Sequence, residues 1–317
     1  MPRIRHALLL AFALLPACAP DAQAPADAPP GNALVLVEVA PLVSLVRPLL
    51  REGVTIRPIV PAGASPHGYQ LTPGDARALA TASLVITVGP VLEPSINRAV
   101  ARHTPDDRRL TIADAIGLEP DPHAGHDHDA DTGHSHDDHA SDPHLWLDPE
   151  LMDAFVATLP DALRARGVAS DDADGRAAEV RAAIRAVADD YAARLAPFAG
   201  WAIITHHDAF RRVADRYGLA IAQVIRPVSG VEPTPGDLAR VREAVAAAGV
   251  GAIFVEPQFP DALPRRIADQ LGLEVHSLIP EGSDDWEAMM RANLDALVAG
   301  LSAPVPQGAQ APGGAGG

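Results

Sequence analysis

No lysine occurs in the 317-residue chain: the 25 basic residues are all arginine. Schiff-base chemistry and the phosphate-gripping lysine of P-loop enzymes are thereby excluded. Cysteine is almost missing as well, and the single Cys18 leaves no partner for an internal disulfide, a cysteine-based zinc site or thiol catalysis. Positive charge is in deficit. With 41 acidic residues the formal net charge is −16, the wrong sign for a surface that must attract nucleic-acid phosphates. Long apolar runs are missing too, since the run Ala7 to Leu15 is about half of the roughly 20 residues a membrane-spanning helix requires. What remains is ample for packed cores: hydrophobic residues make up 48%, and the length suggests two domains of about 100–200 residues each.

Arg3 and Arg5 precede the short apolar run, which ends in Leu15-Pro16-Ala17-Cys18. This is the charge, apolar stretch and processing site of an export signal. Cleavage after Ala19, Ala24 or Ala28 is poorly served, because a proline follows each. Leu15 to Cys18 resembles a lipobox, with Pro16 an unusual occupant. Residues 1–18 therefore read as a lipoprotein signal with lipidation at Cys18, a plain secretory signal being the alternative, and residues 19–31 as a flexible tether. The implied location is extracytoplasmic, with the membrane reached by the lipid alone.

Beyond the tether, strands and helices alternate. Ala33–Val37, Thr55–Val60 and Leu84–Val88 read as buried strands, with helices over Leu42–Leu50 and Pro73–Ala82 between them. After residue 200 the pattern starts again: strands at Trp201–Thr205, Ala220–Ile225 and Ala252–Val255, and helices at Ala209–Tyr217, Pro235–Ala248 and Asp261–Leu271. The spacing predicts two doubly wound α/β lobes, 32–170 and 199–302, each on a parallel sheet. Val180, Ile184, Val187, Tyr191, Leu195 and Phe198 form the apolar stripe of one long helix, 171–198, joining the lobes and permitting only limited opening. Residues 303–317, rich in Pro, Gly, Ala and Gln, read as a disordered tail.

Within the first lobe, residues 121–143 form an acidic, histidine-rich loop. His123, His126, His128, His134, His136 and His139 lie among seven aspartates, and nothing there can build a core. Neutral imidazoles bind zinc, copper and nickel, so the loop offers several weak sites. A tight site must be rigid, because ordering a loop costs about 1–2 kcal/mol per residue. His67, His144 and His207 each follow a strand or leave the loop, where ligands of doubly wound sheets gather.

These residues carry a family resemblance. Pro61-Ala62-Gly63-Ala64-Ser65-Pro66-His67-Gly68-Tyr69 with Pro73 and Asp75, Asp142-Pro143-His144-Leu145-Trp146, and His206-His207-Asp208-Ala209-Phe210 with Tyr217-Gly218-Leu219 resemble segments of the zinc-binding receptors of metal ABC transporters. Gly89 with Glu93, and Phe254-Val255-Glu256-Pro257-Gln258-Phe259, are similar to further segments of that family. The resemblance runs from about Ala33 to Leu301. It implies two lobes on a long helix, Zn2+ held in the cleft by His67, His144 and His207, and delivery to an ABC permease by a monomeric receptor. His206 is the competitor of His207, but the matching position directly precedes Asp208.

One departure concerns the fourth ligand. Many relatives carry a carboxylate in a Leu-Asp-Pro segment, whereas this chain reads Leu278-Ile279-Pro280. Water then completes a tetrahedral site, or Glu281 or Asp284 supplies the oxygen. A nitrogen-rich set favours zinc over manganese, the alternative cargo. Asp148 and Asp208 are candidate acceptors for the ligand imidazoles, or simply helix caps. Imidazoles with the ordinary pKa of about 6.5 would release zinc below about pH 6. A three-histidine zinc hydrolase and a metal-scavenging surface lipoprotein are the rivals. No His-Glu-x-x-His helix or nucleophile elbow supports an enzyme.

Overall fold

Apolar runs punctuated by proline and glycine build two parallel sheets of identical order. The computed structural model describes residues 33–118, 142–226 and 234–307, all within the unit Asn32–Gly317. The signal 1–18, Cys18, the tether 19–31 and the loop histidines from His123 to His139 lie outside the described residues, as do 308–317.

The first lobe runs β1 (Leu34–Val39), α1 (Leu42–Val46), β2 (Thr55–Val60), α2 (Pro73–Thr81), β3 (Leu84–Thr87), α3 (Pro94–His103), β4 (Arg109–Thr111) and α4 (Ile112–Ala115). Its sheet has the order β2-β1-β3-β4. After α5 (Pro149–Arg164) and α6 (Ala173–Leu195) come β5 (Ala202–Thr205), α7 (Arg211–Arg216), β6 (Ala220–Val224), α8 (Pro235–Ala248), β7 (Ala252–Val255), α9 (Ala262–Leu271), β8 (Glu274–Ser277) and α10 (Trp286–Leu301). The order β6-β5-β7-β8 repeats the first sheet. Every pairing within the two sheets is parallel, so the strand exits of each lobe lie along one edge.

Some expected boundaries move for identifiable reasons. The helix expected over Leu42–Leu50 stops at Val46 and continues as a 3-10 turn over Arg47–Leu49, because Pro48 has no amide to donate. Pro58 sits within β2, an edge strand, where a missing amide is tolerated. The linking helix occupies Ala173–Leu195, and a 3-10 turn containing Pro197 ends it. The chain also stays on the fold past Leu301. Ala303 is buried, its carbonyl lying where a side chain on Gly251 would have to go, so the expected tail does not begin at 303.

One continuous core ties the lobes together. Val35, Val37 and Ile86 of the first sheet, Ile184 and Tyr191 of α6, Trp286 and Leu297 of α10, and Ile203 and Phe254 of the second sheet all belong to it. Smaller cores lie on the outer face of each sheet, one around Leu36, Leu79 and Ile96, the other around Val241, Val250 and Ile267. The Tyr191 hydroxyl donates to the Met290 carbonyl at 2.7 Å, joining α6 to α10. Two tryptophans add to the joint. Trp146 donates to the Pro280 carbonyl and Trp286 to the Trp146 carbonyl, each at 2.6 Å. Opening the cleft would break buried packing and buried hydrogen bonds together, which limits lobe motion.

The packing of α10 on β7 needs a glycine. A Cβ at Gly300 would stand 2.5 and 2.8 Å from ring atoms of the buried Phe254. Gly300→Ala should therefore cost about 1–3 kcal/mol through overpacking, despite the better helix propensity of alanine. Thermal melts of both sequences check this, and an equal or higher Tm for the variant would show that the ring has room to move.

Candidate metal centre

His67 lies on the loop after β2, and the turn behind it depends on Gly68, whose φ of 77° belongs to the left-handed region. Glu93, at the N-cap of α3, accepts from the Ser95 amide at 3.0 Å and with its other oxygen from the Gly68 amide at 2.7 Å. One carboxylate thus caps a helix and pins the ligand loop to it. The carbonyl of Leu92 accepts from the His67 ring.

His144 is set by a local turn. The Asp142 side chain accepts from the His144 amide at 2.9 Å and from its Nδ1 at 2.8 Å. Arg212 of α7 reaches across from the second lobe and donates to the Asp142 carbonyl, the shorter contact being 2.6 Å. His207 follows β5. Its Nδ1 donates to Glu256, the residue after β7, at 2.5 Å.

With each ring's far side engaged by an acceptor, the Nε2 lone pairs are left to face one another. The Nε2 of His144 stands 3.3 Å from that of His67 and 3.3 Å from that of His207. All three ligand atoms lie within 4.8 Å of one another, the only such group among the described residues. A tetrahedral zinc ion bound at about 2.0–2.1 Å separates its donor atoms by about 3.3–3.4 Å. Two of the three donor separations match that geometry, and the His67 and His207 nitrogens lie within 4.8 Å of each other, so a small cation could draw the three together.

The electrostatics agree. Burial, aided by the neighbouring imidazoles, lowers the pKa of His67 to about 3, and burial lowers that of His207 to about 4. The rings of His67 and His207 are therefore neutral and ready to ligate over the whole neutral range. Asp142 would be raised by its burial, but the His144 hydrogen bonds and Arg212 outweigh this and keep it ionised. Burial pushes Glu256 and Glu281 up to about 8. The two share the amide of Gln258, whose Nε2 donates to an oxygen of each at 2.7 Å.

The structure sorts the other candidates. His206 is turned away onto Phe259, with the ring centroids 5.3 Å apart, and its Nδ1 faces the Glu256 amide. Asp284 is exposed, while Glu281 is buried; its backbone carbonyl accepts from Gly63 on the His67 loop, and its Oε1 has no hydrogen-bond partner among the described residues. Glu281 stands outside the 4.8 Å group but close enough for His144 to influence its ionisation. The main chain of Ile279 is bonded to the side chain of Asn293 in both directions. Asp148 and Asp208 are not the imidazole acceptors. Asp148 caps α5 and pairs with Arg216 of the second lobe at 2.6 Å, and Asp208 pairs with Arg211 at 2.8 Å. The acceptors are Asp142 and Glu256.

Asp142→Asn is expected to weaken metal binding by about tenfold to a hundredfold, because the neutral amide no longer fixes the His144 tautomer by accepting from Nδ1 in a charge-assisted bond. A chelator-competition titration checks it. Unaltered affinity would mean that Arg212 and the loop backbone suffice to aim His144.

Two parallel-sheet lobes on one long helix, with a nitrogen triad between them, define a metal-binding receptor. The chain belongs to the family described as zinc-uptake complex component A, periplasmic, which matches residues 35–300. It is 28% identical over 253 residues to the high-affinity zinc uptake system protein ZnuA of Paracoccus denitrificans, covering 71% of this chain and 76% of that protein. It is 26% identical over 265 residues to the manganese-binding lipoprotein MntA of Halalkalibacterium halodurans, covering 77% and 80%. Among solved structures, a crystal structure of ZnuA superposes with a TM-score of 0.67 over 86% of this chain and 100% of that one, at 20% identity. The periplasmic zinc-binding protein TroA of Treponema pallidum does so with the same TM-score and coverages of 86% and 99%, at 19% identity. These two structural likenesses establish the fold.

Proposed function

We propose that this chain captures Zn2+ between its lobes with His67, His144 and His207, takes its fourth ligand from Glu281, and delivers the ion to an ABC permease. The observation that carries the reading is the convergence of three Nε2 lone pairs whose rings are held from behind. The family is one of transport receptors, and the chain is a binding protein, not an enzyme. Three imidazoles and one carboxylate oxygen suit four-coordinate zinc. Manganese is the second reading, favoured by the free Glu281 oxygen and by the manganese-binding name of one relative.

The extracytoplasmic location accords with the relatives, and no helix among the described residues is long and apolar enough to cross a membrane. Lipidation at Cys18, a tether over 19–31 and a monomeric state complete the proposal. The histidine-rich loop 121–143 serves as a low-affinity zinc reservoir at the cleft. Competition titrations with zinc and manganese test the whole reading: one tight zinc site is expected, manganese binding more weakly, with a weak class that disappears when residues 123–139 are deleted. A manganese affinity above that for zinc would reverse the choice of cargo, and loss of the tight site on deletion would relocate it to the loop.

A further inference from the structure

In the second sheet the order β6-β5-β7-β8 puts the exit of β7 between the exits of β5 and β8. His207 follows β5 and Glu281 follows β8, while Glu256 and Gln258 are the first and third residues after β7. The β7 exit is therefore a brace between His207 of the triad and the buried carboxyl of Glu281. Its geometry is explicit. Glu256 accepts from His207 Nδ1 with Oε1 and from Gln258 Nε2 with Oε2, and the same Nε2 donates to Oε2 of Glu281. The Gln258 amide nitrogen carries two hydrogens, one for each carboxylate, whereas its oxygen carries none, so an ionised carboxylate on either side orients the amide this way. Oε1 of Glu281 is left buried and without a hydrogen-bond partner among the described residues.

We propose that Gln258 is a positioning residue that sets metal selectivity, by holding one oxygen of Glu281 so that the carboxylate can offer the metal only the other. This rests on the reading of Glu281 as the fourth ligand. Three imidazoles and one oxygen give the four-coordinate site that zinc prefers. A carboxylate freed to chelate with both oxygens raises the coordination number and suits the harder manganese ion. The brace thus favours zinc by limiting Glu281, in addition to the choice of histidine as the main ligand.

The test compares the full chain with Gln258→Met, Glu281→Gln and the double variant, in zinc and manganese titrations and in the visible spectrum of the cobalt-loaded protein. Gln258 is only half-buried, so methionine should be accommodated. Gln258→Asn, which keeps the amide but shortens its reach, carries the same comparison if the methionine variant does not fold. In Gln258→Met the preference for zinc over manganese is expected to narrow by about tenfold or more, the scale of losing a partner behind a ligand. The intense bands of four-coordinate cobalt should weaken with it, and neither change should occur in the Glu281→Gln background. An unchanged preference and spectrum would overturn the proposal. So would an equal change in the Glu281→Gln background, which would place the effect on Glu256 and His207. A Glu281→Gln protein indistinguishable from the parent would instead overturn the ligand reading itself, and this inference with it.

Discussion

Replacing His144 by alanine is expected to weaken zinc binding by a hundredfold or more and to erase the rise in Tm that zinc gives the intact chain. His144 is the member of the triad that stands 3.3 Å from both of the others, so its loss removes a donor and both short nitrogen contacts. Zinc sites with four protein ligands bind with about 10–16 kcal/mol, or about 3 kcal/mol for each ligand, which is about two powers of ten in Kd. Removal also strands Asp142, which is buried and would retain only Arg212 of its two ring and guanidinium partners. Because bound metal stabilises a fold in proportion to the logarithm of its concentration over Kd, the loss of affinity reappears as a loss of thermal shift. Titration and melts with and without zinc read the two quantities separately. Affinity within a few-fold of the parent would place the tight site away from this triad.

The fold was legible where burial writes itself into sequence. The strands β1, β3, β5 and β7 lie in the interior of their sheets and are mostly Val, Ile, Leu and Ala, with Glu38, Phe254 and the terminal threonines of β3 and β5 as the exceptions. The outer strands β4 and β8 were not legible. They read Arg-Leu-Thr and Glu-Val-His-Ser, too short and too polar to separate from loops, and they become strands because a paired neighbour satisfies their backbone. The joint between the lobes was half legible. The stripe on α6 announced a stiff link, but the tryptophan bonds between 146, 280 and 286 join residues more than a hundred positions apart, which no local pattern encodes.

The site divides in the same way. His67, His144 and His207 could be singled out because strand exits of a doubly wound sheet converge. The groups behind them could be found only in part. Asp142 precedes His144 by two residues, the spacing of a side-chain-to-backbone turn, and that signal was available. Glu256 lies 49 residues from His207, and Arg212 lies 70 from Asp142, so each pairing exists only through the sheet order and the docking of the lobes. Asp148 and Asp208 looked equivalent to these acids from their nearness to the ligands. Asp148 is followed by proline at the first turn of α5, the mark of a helix cap, and the cap is the role it takes.

The pH profile of zinc affinity is expected to have two limbs, neither of them near the ordinary imidazole pKa. Protonation of His207 can compete only below about 4 and that of His67 only below about 3, because burial disfavours the charged rings. At these two ligands the loss of zinc expected below about pH 6 from unperturbed histidines is thereby moved down by about two pH units. The carboxyls act in the opposite range. Glu256 and Glu281, raised to about 8 by burial, hold at least one proton between them at neutral pH in the metal-free protein. A bound dication favours the ionised carboxylate, so zinc binding must release that proton, and affinity should rise about tenfold per pH unit between about 6 and 8 before levelling. The signs follow for the metal-free fold as well. The lowered histidines contribute stability that is present above about pH 6.5 and lost as the pH falls toward 4 and 3, whereas the raised carboxyls cost stability as the pH rises from about 4.5 to 8. Metal-free Tm should therefore peak in mildly acid solution, and zinc should shift the peak toward higher pH. Titrations and melts from about pH 2.5 to 9 on the parent and on Glu281→Gln separate the contributions. The substitution should flatten the limb between pH 6 and 8 and leave the acid limb in place. A single fall centred near pH 6.5 in both proteins would show that the imidazoles are exposed to solvent protons, and that burial does not hold them neutral.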